Sequence, residues 1–132
     1  MVIEKPYSIR FTIPSAPPSV NSLYQVIFSL KKIQLKPEVM IWKSQSKMFV
    51  PVWRPVHDSK TGFLYFHMTV HTDLYYKNSK VRRLDLGNME KACLDMVCER
   101  IGIDDSFVTR RVLEKVQRQD NEQTEIEIGF VD

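Results

Sequence analysis

Residues 88–101 constrain the fold most strongly. Met89, Ala92, Cys93, Met96, Val97 and Ile101 recur at the 3.6-residue period of a helix with one apolar face. On either side the period changes to two. Upstream, Leu64, Phe66, Met68 and Val70 alternate with Phe63, Tyr65, His67, Thr69 and His71. Downstream, residues 108–116 and 124–131 alternate in the same way. Asp85 or Asn88 supplies an N-cap for the helix, and Gly102 ends it in the favoured left-handed position. Strands on both sides of an amphipathic helix call for a sheet that receives its apolar stripe.

The remaining segments extend this pattern. Residues 7–13 alternate as a half-buried strand, and residues 15–24 form an ordered loop stiffened by Pro17 and Pro18. The short apolar run 26–30 reads as strand or buried turn. Residues 37–49 read as a second helix, with Pro37 and Glu38 in its first turn and Pro51 as its stop. Residues 51–62 form a loop with a tight turn, 76–83 a basic loop, and 117–123 the last connection. The order predicts an α+β fold: one small mixed β-sheet with two main helices packed on it. At 132 residues, 1–132 reads as a single domain.

Several classes are excluded. Cys93 and Cys98 lie on one predicted helix, so neither a disulfide framework nor a CxxC metal site is present. The first residues lack an apolar signal core, and no run approaches the ~18 apolar residues of a membrane span. The expectation is a soluble, cytoplasmic chain with no membrane partner. A formal charge of +3 permits nucleic-acid binding without requiring it, so local clustering decides.

Charge does cluster around the helix. Lys77, Lys80, Arg82 and Arg83 precede Asp85, and Asp104 and Asp105 follow Gly102. Carboxylates of this kind suit a hard divalent cation, which polarises a phosphoryl oxygen and activates water. The same residues also read as an N-cap and a polar turn. A helix of ~14 residues is ~20 Å long, so its two ends meet at one metal only if the next strand folds back or a second copy contributes. Lys91 and Asp95 are spaced as a surface ion pair, or Lys91 stabilises charge on a phosphate. The basic loop is solvated surface or a backbone grip, which Arg110 and Arg111 extend. His67 and His71 lie ~13 Å apart along a strand, too far to share one metal. Trp42, Trp53, Tyr75 and Tyr76 are packing residues or base-stacking platforms.

Three segments together resemble the RusA family of Holliday-junction resolvases. Ala16-Pro17-Pro18-Ser19-Val20-Asn21 resembles the family's Pro-Pro-Ser-x-Asn loop. Asp85-Leu86-Gly87-Asn88, followed by Lys91 and Asp95, resembles its Asp-x-Asp-Asn-x-x-Lys-x-x-x-Asp helix start. Ile103-Asp104-Asp105-Ser106-Phe107-Val108 resembles its Asp-Asp-x-x-Val turn. The resemblance implies a RusA-like homodimer that nicks four-way DNA junctions in symmetrical pairs with Mg²⁺ or Mn²⁺. It implies catalytic roles for Asp85, Lys91 and Asp105 and metal-holding roles for Asp85 and Asp105, with Asp104 as a further candidate metal carboxylate. Lys80, Arg82, Arg83, Asn21, Lys77 and Arg110 would contact nucleic acid. One position departs from the pattern: Gly87 stands where the family carries its second carboxylate. Asp104 or Glu90 is then a substitute, or the chain binds junctions with little turnover.

Overall fold

The computed structural model describes residues 8–19, 24–27, 32–53 and 62–131. Among the described residues, six strands and two helices follow in order: β1 (Ser8–Ile13), β2 (Tyr24–Ile27), β3 (Lys32–Leu35), α1 (Pro37–Ser46), β4 (Leu64–Thr72), α2 (Leu86–Ile101), β5 (Val108–Gln117) and β6 (Gln123–Phe130). Short 3₁₀ turns, Lys47–Phe49 and Asp105–Phe107, follow α1 and precede β5.

Four strands form a mixed sheet in the order β1-β6-β4-β5. β6 is antiparallel to both its neighbours, whereas β4 and β5 run parallel. A parallel pair needs a long crossover, and α2 supplies it. The expected α+β architecture with a mixed sheet is therefore present. The structure adds a second, two-stranded sheet, the antiparallel hairpin β2–β3, where the sequence left strand or turn open at 26–30. The described part of that run is Val26 and Ile27.

One face of the main sheet is dry. Leu64, Phe66, Met68 and Val70 are fully buried, as the alternation requires, and register in turn against Phe130, Ile128, Ile126 and Thr124 of β6. Ile9, Phe11 and Ile13 of β1 join them. The apolar stripe of α2 and Val39 and Trp42 of α1 close on that face in one cluster. Truncating a buried side chain such as Met96 to alanine there costs about 2–5 kcal/mol. Both tryptophans belong to the packing. Trp42 donates to Ser15 Oγ (3.0 Å), and Trp53 meets Phe130 edge-on at 5.9 Å. Cys93 and Cys98 are buried free thiols, and burial pushes Cys98 up to about 12. Lys43 of α1 ties to Glu99 of α2 at 3.0 Å.

The opposite face carries a polar ladder. Arg10 pairs with Glu127 (2.8 Å), His67 with Glu114 (3.0 Å) and His71 with Glu125 (2.8 Å). The two histidines therefore share a face, each with its own carboxylate. Among the described residues, no helix is long and apolar enough to cross a membrane.

Candidate active site

α2 is capped as its sequence demands. Asp85 has extended backbone (φ −83°, ψ 101°), and its Oδ1 accepts from the Asn88 amide at 3.1 Å. Such a cap is worth about 1 kcal/mol. At the far end Gly102 adopts φ 76°, a left-handed conformation that suits glycine. The Gly102 and Ile103 amides both return to the Cys98 carbonyl, at 2.9 and 3.0 Å.

The Pro17–Pro18–Ser19 loop is fastened to this cap. Ser15 holds one end: its Oγ accepts from Trp42, and its carbonyl accepts from Thr124 Oγ1 at 2.7 Å. Ser19 holds the other, where its Oγ accepts from the Asp85 backbone amide at 2.8 Å. Two prolines between fixed points leave little freedom. Between loop and helix lies a hollow of about 320 Å³, lined in part by Pro17, Pro18, Ser19, Arg82, Arg83 and Met89. Asn21 lies outside the described residues.

The basic segment is an ordered hairpin. Tyr75 and Val81 pair as an antiparallel bridge, Tyr76 N donates to Lys80 O (2.8 Å), and Arg82 N donates to Leu74 O (2.7 Å). Ser79 takes φ 67° at the tip. Arg82 turns inward and donates from Nη1 to Asp73 O at 2.7 Å, so part of its guanidinium serves the loop. Lys77, Lys80 and Arg83 are exposed. Asp73 sits at the base, and the Gln117 amide that donates to it holds its carboxyl below the usual range.

Asp104 and Asp105 behave differently from each other. Asp104 caps the 3₁₀ turn, accepting from the Ser106 amide at 2.8 Å, and that bond lowers its pKa. Asp105 is exposed, and its negative charge is felt by Glu90 and Asp95 on α2. No described hydrogen bond or ion pair ties Asp105 to Asp85. Lys91 is exposed one turn above Asn88, near Glu90 and Asp95.

Two placements escape a reading of the sequence, which offers Glu90 only as a substitute carboxylate and Arg110 with Arg111 as one basic extension. Glu90 is only 6% exposed and lies 3.3 Å from Arg111 Nη1. Burial, the first cause, raises its pKa, while Arg111 opposes the rise. A glutamate inside the apolar stripe, three residues before Cys93, was the available signal. The second feature is the division of Arg110 from Arg111. The register slips between Leu64 and Tyr65, so Arg110 pairs with Tyr65 on the open face and Arg111 with Phe66 on the α2 face. Arg111, rather than Arg110, therefore borders the helix.

The donor set bears on metal binding. Among the described residues, no three of His, Cys, Asp and Glu stand together as a metal site. Mg²⁺ commonly keeps waters and takes one or two carboxylates with substrate phosphates. An exposed Asp85 at a helix N-terminus, beside basic residues that attract phosphate, suits that sparse mode.

Residues 22–129 match the family described as endodeoxyribonuclease RusA, and the chain belongs to that family. No curated protein matches the chain.

Proposed function

We propose that this RusA-family protein is a metal-dependent, structure-specific endonuclease that resolves four-way DNA junctions by paired, symmetrical phosphodiester cleavage. It would serve DNA recombination, repair or phage DNA processing in the cytoplasm. The observation that carries the reading is the Ser19–Asp85 hydrogen bond. It joins the first two of the three segments that carry the family resemblance, at the rim of a hollow that Arg82 and Arg83 line.

The chemistry divides among the chain's own residues. Asp85 would hold Mg²⁺ or Mn²⁺, with Asp105 and Asp104 as further carboxylates; the ion supplies a polarised phosphoryl oxygen and activated water. Lys91 stabilises negative charge growing on the phosphate and leaving oxygen. Lys80, Arg83 and Lys77 hold the DNA backbone, and Arg82 keeps their hairpin in shape while presenting its remaining donors. A junction has two equivalent strands to cut, and one chain carries one Asp85–Asn88–Lys91 set. Two symmetrical nicks therefore call for a homodimer, which also offers each Asp85 the carboxylates of a second copy.

Purified protein on a synthetic four-way junction should nick two opposed strands with Mn²⁺ and none with EDTA. Cleavage that persists in Asp105→Asn removes the metal role of Asp105. A second reading, junction binding with little turnover, is favoured by Gly87 alone. Tight binding without nicking at any Mn²⁺ concentration selects it.

A further inference from the structure

Tyr76 stands between two hollows. The first, about 320 Å³, lies on the side of Pro17, Arg83 and Met89; the second, about 640 Å³, lies on the side of Asp73, Lys77 and Gln117. Tyr76 is 54% exposed and its neighbour Tyr75 48%. Both other large aromatics weighed for base stacking, Trp42 and Trp53, are buried in the core.

Two adjacent tyrosines are thus about half open to solvent, and the backbone beneath them is fixed. The antiparallel bridge Tyr75–Val81 and the bonds Tyr76 N to Lys80 O and Ser79 N to Tyr76 O close the hairpin. Gln117 of β5 clamps its base, accepting from Leu74 N at 2.7 Å and donating to Asp73 at 3.1 Å. The rings thus ride on a stiff projection with Lys77 and Lys80 at its end. Rigid aromatic faces flanked by ammonium groups are the combination that binds unpaired bases: the ring stacks, and the cation takes the adjoining phosphate.

We propose that the 75–81 hairpin is a base-stacking finger, in which Tyr76 is inserted against an unpaired nucleobase beside the Asp85 centre. A hollow of about 320 Å³ falls at the low end of small-ligand pockets, room for a single nucleotide. The finger deepens the junction-cleaving reading: it recognises the unstacked bases of a branch point and does not touch the reacting phosphate. It makes the protein prefer branched or single-stranded DNA over duplex by a route independent of the carboxylates.

The test uses the whole chain and an oligonucleotide carrying 5-iododeoxyuridine, which crosslinks under long-wavelength light to an aromatic ring stacked on it. Crosslinks on the single-stranded oligonucleotide should map to Tyr76 or Tyr75. Tyr76→Ala should bind single strands and junctions about tenfold more weakly, the loss of one stacked base, with duplex affinity unchanged. Tyr76→Phe should restore the affinity, because the ring carries the effect. Crosslinks that map elsewhere, or an equal loss on duplex and single strand, overturn the finger. Single-strand crosslinking at Tyr76 without junction nicking leaves the finger standing and brings down the nuclease reading instead.

Discussion

The backbone amide of Asp85 donates to Ser19 Oγ at 2.8 Å, across 66 positions of sequence. That bond makes the helix cap and the Pro-Pro-Ser loop one unit. Ser19→Ala leaves the Asp85 amide to water at an exposed site. The cost in stability should stay near 0.5–1 kcal/mol, while the junction nicking rate falls by tenfold or more. Thermal unfolding beside a nicking assay checks both. An unaltered rate would show that the loop does not position Asp85.

Asp85 caps α2, and substitution can separate that duty from the metal-holding one proposed for it. Asparagine is an equally good N-cap and alanine is not. Asp85→Asn should unfold like the parent and lose nicking. Asp85→Ala should lose nicking and also about 1 kcal/mol. Denaturant titration of the two variants measures the difference.

Gly87 sits in the first turn of α2, where an added Cβ would come 3.2 Å from Asp85 Oδ1. The contact is tight, and the oxygen can give by a few tenths of an ångström. A carboxylate near a helix N-terminus gains about 0.3–1 kcal/mol, which offsets the crowding. Gly87→Asp should therefore fold with stability within about 0.5 kcal/mol of the parent and nick junctions faster with Mn²⁺. No gain in rate would mean that the missing carboxylate is not what limits turnover.

Glu90 gives a pH signature. Burial lifts its pKa above 4.5, with Asp95 and Asp105 adding and Arg111 and Lys91 subtracting. A carboxyl with a raised folded pKa holds its proton more tightly in the folded chain. Its contribution to stability is full below pH 4.5 and is lost as pH rises through the folded value. Melting curves from pH 4 to 8 should show a steeper decline in the parent than in Glu90→Gln. At neutral pH Arg111→Ala should destabilise by about 1 kcal/mol, the small end for a half-buried pair because Arg111 is 45% exposed.

The basic hairpin should sort by salt. If Lys80 and Arg83 hold phosphates as proposed, Lys80→Ala and Arg83→Ala should each lower the slope of log affinity against log salt by about one. Arg82→Ala should in addition lower the melting temperature, since its guanidinium holds Asp73 O. Binding titrations between 50 and 200 mM salt separate the two behaviours.

What could be read from the sequence was local. Asp85 and Gly102 bracket α2 because capping chemistry acts within four residues, and Leu64 to Val70 alternate because a strand does. What could not be read depends on partners far along the chain. The parallel pairing of β4 with β5, the slip beside Tyr65 that decides which of Arg110 and Arg111 takes the α2 face, and the Ser19–Asp85 bond are all of this kind. The β2–β3 hairpin was hidden for another reason: residues 24–35 carry lysines and mixed polar residues without a tight turn signal such as Asn-Gly.

The sheet order has a consequence for how the molecule is made. β6, the last strand, is an interior one: it separates β1 from β4 and is the partner of both. Until residues 123–130 have been synthesised, Ile9, Phe11 and Ile13 have no neighbouring strand to complete their face. The nascent chain can assemble β4, α2 and β5 while its first strand waits. Completion of the sheet is then a single late step over the longest sequence separation in the domain, which favours slow folding and exposes the early strand to chaperones on the ribosome.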